Sequence, residues 1–218
     1  AALADQSRAL TALDVSFTAV QTALAGVESA LGSTSYQAVL SGPEVAAVTL
    51  GAGAMEGSYS IEVTSLGAYS TAISRDEGLS KVTDPNAASL SDASSFTMKV
   101  NGVVWALEPA ANTLTSLAAS INASGAAVRA TVVNVGSPAA PDYRLSLEST
   151  KLGAVTLELE DASGSLMEMQ VTGSLASYKV NGVAQEAESD TRTVELAPGV
   201  TLQLKAASAP GEPTGITV

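Results

Sequence analysis

The apolar residues of this chain change period once, near Tyr36, and that change limits the folds open to it. Before Tyr36 the apolar side chains recur at alternating spacings of three and four, which is the heptad period of a coiled-coil helix. After Tyr36 they recur at every second residue, as in a β-strand with one buried face. The sequence therefore predicts a mainly β protein with an N-terminal coiled-coil-type helix.

The heptad stripe runs through the first 35 residues and is interrupted at Gln6. Gly32 and the hydroxyl residues after it predict the end of the helix. The stripe could pack along its own domain, or it could pack on other segments or subunits. Because nothing downstream repeats the heptad, we predict an interface outside this sequence or in a symmetric oligomer. The predicted seam residues are Leu10, Leu13, Phe17, Val20, Leu24, Val27 and Leu31.

The first alternating runs after Tyr36 predict a β-hairpin. Its two strands are expected at 44–50 and 58–64, with a glycine-containing loop between them. The stretch from Leu66 to Ser95 loses this alternation, so long loops are expected there, with one short strand near Ala72-Ile73. A domain boundary is predicted near Gly67.

A pentapeptide occurs twice in the β-rich part, as Lys99–Val103 and again as Lys179–Val183. Each copy places Asn-Gly between alternating runs, and this pair favours a type I′ turn because both central residues need a positive φ. The repeat indicates either two β modules of similar design or turn chemistry that two unrelated hairpins share.

The residues between the two copies predict one short helix and a β-meander. Asn112-Thr113 can cap a helix that places Leu114, Leu117, Ala118 and Ile121 on one face. Four alternating runs follow and predict the meander strands, and further antiparallel strands are expected towards Val218. The predicted meander strands are 128–132, 143–147, 155–159 and 167–171.

The composition excludes several classes of function. With no Cys and no His, the chain has neither a thiolate nucleophile nor an imidazole base, and it lacks the usual ligands of zinc, copper and haem. Its 22 acidic and 10 basic residues give a net charge of −12, which repels nucleic acid and anionic lipid. These features exclude most enzyme chemistries and leave only oxygen ligands for a metal, and no run approaches 18 consecutive apolar residues. We expect no enzyme activity, no metal, no cofactor, no nucleic acid partner and no membrane insertion.

Two acidic groups are the best candidates for a metal or catalytic site, but each has a simpler interpretation. Residues two apart on a strand share a face, so an acidic, solvated face is expected in so acidic a chain. Neither group has the alternating Asp/Asn ligands of a calcium loop. The groups are Glu158, Glu160 and Asp161, and Glu186, Glu188 and Asp190.

The order of the motifs resembles the family of bacterial flagellar filament cap proteins, also called hook-associated protein 2. After the heptad helix come the strand of 57–66, a helix that ends on Ile121-Asn122 and a strand that begins at Val128. The segment 114–134 is similar to the motif named for its Ile-Asn pair in that family and its relatives. The segments that resemble the next strand and the closing hairpins are 143–153, 178–182 and 196–204.

This resemblance implies three domains. The helix of 1–35 would be the ascending half of a coiled-coil leg, whose descending half would lie beyond Val218, so the chain is expected to be part of a longer protein. Residues 36–66 and 173–218 would form a discontinuous middle β domain, in which the last strands pair with the first ones. Residues 67–172 would form a distal β domain, inserted into the middle one and carrying the short helix.

The resemblance also implies a function. Proteins of this family form a ring at the tip of the flagellar filament, where they help newly exported flagellin to enter the lattice. Expected partners are further copies of the chain, flagellin, the hook–filament junction proteins and an export chaperone. The expected location is extracellular, at the flagellum tip, after passage through the flagellar secretion apparatus, and the expected process is motility.

Two other classes of function remain open on the sequence. One is a secreted adhesin or module that binds a glycan or a host protein through its β domains, which would make cell adhesion the relevant process. The other is a hydrolase that holds a divalent ion with the acidic strand faces.

Overall fold

The computed structural model of the chain describes residues 16–24 and 36–218. Residues 16–24 are helical (α1), and a second helix, α2, spans Leu114–Ala123. The predicted fold class is confirmed, because strands dominate and the named strands pair antiparallel. No helix in the described ranges is long and apolar enough to span a membrane. The strands of these ranges are β1 Val39–Leu40, β2 Ala46–Leu50, β3 Ser58–Ser65, β4 Tyr69–Ser74, β5 Phe96–Val100, β6 Val103–Leu107, β7 Val128–Asn134, β8 Tyr143–Leu152, β9 Leu157–Asp161, β10 Gly164–Ser165, β11 Met167–Val171, β12 Ala176–Val180, β13 Ala187–Ser189, β14 Thr193–Ala197, β15 Val200–Leu204 and β16 Thr214–Thr217.

These strands form sheets around two separate apolar clusters. The sheets with strand orders β10-β9-β5-β6 and β11-β4-β8-β7 enclose the first cluster, here called the larger core. The sheets with orders β1-β16-β3-β12-β13 and β14-β15-β2 enclose the second cluster, the smaller core. Each core is a layer of alternating inward side chains, as the period of two requires.

The larger core is built from residues between Ala72 and Met167. Helix α2 lies on it with the predicted face, because Leu114, Leu117, Ala118 and Ile121 are all buried. The Thr113 side chain accepts a hydrogen bond from Ser116 N at 3.2 Å and so caps the helix, as predicted.

The smaller core joins the two ends of the β-rich region. Strands β12 and β16 both pair with β3, and β15 pairs with β2 over Val200↔Leu50 to Leu204↔Ala46. Ile61 and Val63 of β3 therefore pack against Leu202 and Ile216 from the far end of the chain. This is the pairing that the family resemblance implied for the last strands. The three-part division into 1–35, 36–66 with 173–218, and 67–172 stays a prediction.

The predicted hairpin between 44–50 and 58–64 is wrong. Both strands exist, but β2 pairs with β15 and β3 pairs with β12 and β16 in a different sheet. The loop between them crosses from one sheet to the other. Its start is held by Gly51 N, which donates to Gly199 O at 2.8 Å, and its end by Gly57 and Val218, which bond to each other in both directions. Local alternation cannot distinguish this crossing from a hairpin, because both need two strands and a short loop.

The predicted β-meander is also wrong. Strands β7 and β8 form a hairpin, but β9 pairs with β5 and β11 pairs with β4. The four predicted strands are therefore divided between two sheets that face each other across the larger core. The short strand expected near Ala72-Ile73 is real and is longer than predicted, since β4 covers Tyr69–Ser74.

Candidate subunit interface

The described part of the predicted seam is an exposed apolar stripe on α1. Phe17, Val20 and Leu24 are spaced by three and four residues, so they share one helix face. Their exposed fractions are 64%, 63% and 63%. Leu10, Leu13, Val27 and Leu31 lie outside the described residues. Large apolar side chains that recur on one helix face and remain in water are typical of a surface that binds another polypeptide.

The acidic residues of β9 are engaged in ion pairs across the sheet. Lys99 Nζ lies 2.7 Å from Glu160 Oε2 and 3.8 Å from Glu158 Oε2. The hydrogen bond to Glu160, with the charges of both carboxylates, raises the pKa of Lys99 above its usual value. A carboxylate pair that holds a lysine in this way is a cross-strand contact, whereas the simpler interpretation from the sequence expected only a solvated acidic face.

The other acidic group follows the same arrangement less tightly. Lys179 Nζ lies 3.9 Å from Glu62 Oε2 and 4.0 Å from Glu186 Oε1. Asp190 forms an ion pair with Lys151. Within the described ranges there is no group of three or more Asp or Glu residues that could hold a metal ion.

Asp161 lies at the edge of an open polar cleft of about 370 Å³ that Ser91, Asp92 and Arg75 also line. A hydrogen bond from the Ser91 hydroxyl lowers the pKa of Asp161, and the backbone N–H groups of Ser163 and Gly164 add to this effect. General acid–base catalysis works best with a pKa near the working pH. The Asp161 carboxylate is held away from that range, and its hydrogen bonds close the β9–β10 turn.

The two copies of the pentapeptide form similar Asn-Gly turns, although β6 follows the first turn at once and β13 begins only at Ala187 after the second. Asn101 and Asn181 both have a φ of 50°, and the glycine after each has a φ of 78° or 70°. These values confirm both predicted Asn-Gly turns. Val103 and Val183, directly after the turns, are each 56% exposed.

Asn122, the second residue of the Ile-Asn pair, joins α2 to the edge strand β7. Its Nδ2 donates to Ala130 O at 2.9 Å, and its Oδ1 accepts from Ala130 N at 2.8 Å. The amide thus occupies the backbone groups that a further strand would otherwise use. Ile121 beside it is fully buried in the larger core.

Sequence reasoning missed the residues where the two cores meet. Ser70 on β4 is fully buried, and its hydroxyl bonds to Gly153 O, Val155 N and Gly173 N. A serine at an inward position of a strand was the available signal. The role of this serine depends on its hydrogen bond with Gly173, which lies more than a hundred residues later in the chain.

The comparisons with known proteins agree with the family resemblance. Residues 1–70 match the family model described as "Flagellar hook-associated protein 2 N-terminus". No curated protein matches the chain. Among solved structures, the chain is similar to the D2-D3 domains of the flagellar cap protein FliD from Escherichia coli, with 25% identity and a TM-score of 0.62. That match covers 83% of this chain and 97% of the other.

Two further structures add to this. The D1-D2-D3 structure of the Escherichia coli protein matches with 25% identity and a TM-score of 0.64, over 83% of this chain and 55% of the other. The chain therefore spans about half of that longer structure. FliD from Pseudomonas aeruginosa PAO1 shares the fold, with 23% identity and a TM-score of 0.56, over 80% of this chain and 84% of the other.

The fold and the family match support a structural protein of the flagellar cap class. More particularly, the findings support a flagellar cap protein of the FliD, or hook-associated protein 2, type. The resemblance inferred from the sequence is thereby confirmed. The alternative of a secreted adhesin or glycan-binding module is not favoured by these comparisons.

Proposed function

We propose that this chain is a structural and assembly protein that caps the tip of a bacterial flagellar filament. In this role it acts as a ring of identical subunits and promotes the incorporation of flagellin. The observation that carries the proposal is the exposed stripe of Phe17, Val20 and Leu24 on a helix whose sequence matches the hook-associated protein 2 N-terminus. A ring needs a surface of this kind on every subunit.

The stripe has enough apolar surface to stabilise an assembly. Burying one Phe, Val or Leu side chain contributes about 1.5–3 kcal/mol. The three described residues together therefore contribute several kcal/mol for each helix that finds a partner. We propose that the helix forms a coiled-coil leg with other segments or subunits, through the full seam from Leu10 to Leu31.

We further propose the three-part division predicted above. The pairing of β12 and β16 with β3 supports a middle domain made of 36–66 and 173–218. The separate larger core supports a distal domain at 67–172. Several contacts cross this division: Leu152, at the end of β8, and Tyr69 pack in the smaller core, and Lys151 forms an ion pair with Asp190.

The proposed role is mechanical and involves no covalent chemistry. The proposed partners are further copies of the chain, flagellin, the hook–filament junction proteins and an export chaperone. The proposed location is the extracellular tip of the flagellum, reached through the flagellar secretion apparatus. Support comes from the flagellar cap proteins to which the chain is similar and from the acidic, cysteine-free composition, which suits export as an unfolded chain.

Deletion of the gene in its own bacterium tests this proposal. We expect cells without full-length filaments that release flagellin monomers into the medium, with both defects reversed by the wild-type gene. A complementing gene carrying Phe17→Asp and Leu24→Asp should fail, whereas one carrying Ala19→Asp and Thr22→Asp should succeed. These control positions lie on the opposite face of the same helix and add the same charge. A deletion strain with normal filaments would refute the proposal.

A further inference from the structure

A single hydroxyl group joins three chain segments at the boundary between the two cores. Ser70 Oγ donates to Gly153 O at 3.1 Å and accepts from Val155 N and Gly173 N, each at 2.9 Å. The backbone N–H of the same serine donates to Ser149 Oγ at 3.0 Å. Ser70 is fully buried, so its bonds form away from competing water.

The two connections between the cores run side by side at this point. Ala68 and Ser174 bond to each other in both directions, at 2.9 and 3.0 Å. The backbones are so close that a Cβ at Gly173 would lie 2.3 Å from Gly153 O and 2.4 Å from Ala68 O. A side chain at position 173 would therefore force the connections apart.

The loop between β13 and β14 holds the same boundary from the side of the smaller core. Arg192 donates to Leu66 O at 3.1 Å and to Gly67 O at 3.2 Å, and its guanidinium lies 5.6 Å from the centre of the Tyr69 ring. Asp190 O accepts a hydrogen bond from Leu152 N at 2.8 Å.

We propose that Ser70 and Arg192 lock the angle between the two β modules, so that the modules move as one body. A hinge needs a few residues whose φ and ψ are free to change. Here the outgoing connection at 66–70 and the return at 173–174 are bonded to each other, to β8 and to the 190–192 loop. What a fixed angle would do for the protein rests on the proposed function. A rigid joint would pass a displacement of the distal module, as a partner binds there, directly to the middle module and the helix.

Distance measurements between the two β modules test whether the angle between them is fixed. The chain has no cysteine, so Ala162→Cys and Ala207→Cys provide two unique attachment points for spin labels. Both positions are exposed, the first on the β9–β10 turn of the larger-core module and the second after β15 in the other module. Pulsed electron paramagnetic resonance of this pair should give one narrow distance distribution.

The substitution Ser70→Ala should broaden that distribution, and Arg192→Met should do the same by removing the donors to Leu66 O and Gly67 O. Ser74→Ala is the matched control, because Ser74 is equally buried on β4 but its hydroxyl accepts from Leu145 N, within the larger-core module. It should leave the distribution narrow.

A broad distribution in the parent chain would overturn the lock, and so would narrow distributions in both variants. Should Ser70→Ala fail to fold, the result for Arg192→Met decides. The measurement needs no filament, so its failure is distinguishable from a failure of the gene-deletion test.

Discussion

Asn101 holds the backbone of Thr156 at both of its polar groups. The Asn101 side chain accepts from Thr156 N at 2.9 Å, and Asn101 N donates to Thr156 O at 3.1 Å. In the second copy of the pentapeptide Asn181 holds Ser60 in the same way, at 2.8 and 2.9 Å. Shared turn chemistry explains why both copies form a turn. It does not explain why each asparagine bonds in the same way to a residue in or next to a neighbouring strand, β9 for Asn101 and β3 for Asn181. Two β modules of similar local design account for both.

The correspondence extends along the partner strands. Val100 lies opposite Leu157 and Val180 opposite Ile61, while the lysine before each valine lies opposite Glu158 or Glu62. Each module therefore contains a Lys-Val-Asn-Gly-Val turn against a strand in which a hydroxyl residue precedes an aliphatic residue and a glutamate.

We expect Asn101→Ala and Asn181→Ala each to lower the free energy of unfolding by about 1–3 kcal/mol. The loss combines a missing hydrogen bond with the cost of a positive φ for alanine. Asn→Asp is the control, because a carboxylate still accepts from the facing N–H and Asp tolerates the left-handed conformation. It should cost less than half as much in urea unfolding. Equal losses for Ala and Asp would show that the hydrogen bond to the third strand contributes nothing.

Acid should weaken the β9–β10 turn through Asp161. Its pKa is lowered in the folded state, chiefly by the Ser91 hydroxyl, so the ionised form stabilises the fold. This contribution is complete above the unfolded pKa of about 3.9 and is lost as the pH falls through the lower folded value. Unfolding free energies measured from neutral to acid pH should therefore fall less steeply for Asp161→Asn than for the parent chain. Ala162→Ser, a neutral change at an exposed position of the same turn, is the control and should keep the parent slope. A parallel profile for Asp161→Asn would contradict this role.

The segment 67–172 should fold without the rest of the chain. The described residues of the larger core all lie between Ala72 and Met167, so removal of the flanking parts leaves that core complete. A purified segment should give dispersed amide signals and a cooperative thermal transition. Leu152 would lose its packing in the smaller core, so Leu152→Ser should improve the segment's solubility without changing its transition. A segment with no cooperative transition would reject the insertion of a distal domain.

The helix seam should decide assembly and leave the β modules intact. Phe17→Asp with Leu24→Asp places charge in the stripe, so any oligomer formed through the helix should dissociate in sedimentation experiments. The thermal transition of the β modules should remain, because both cores consist of described residues outside α1. Loss of the β transition together with the helix would mean that the stripe packs on the β modules.

Local sequence patterns predicted the positions of helices and strands better than they predicted which strands pair. The Asn101-Gly102 turn fixed its hairpin, because two residues with positive φ leave the strands no alternative register. The buried face of α2 also followed directly from the spacing of Leu114, Leu117 and Ile121. The partner of β2 did not, because β15 lies about 150 residues away along the chain. The contacts of Ser70 could not be predicted for the same reason, because its partner Gly173 lies more than a hundred residues away along the chain.

The location of the protein on the flagellum tests the central claim most directly. We expect electron microscopy of cells that carry an epitope inserted between the exposed residues Ala184 and Gln185, in the loop between β12 and β13, to show gold-conjugated antibody at the distal end of each filament. A strain with the same insertion but without flagellin should show no labelled filaments. Gold distributed along the filaments or over the cell body, with bare tips, would contradict the account.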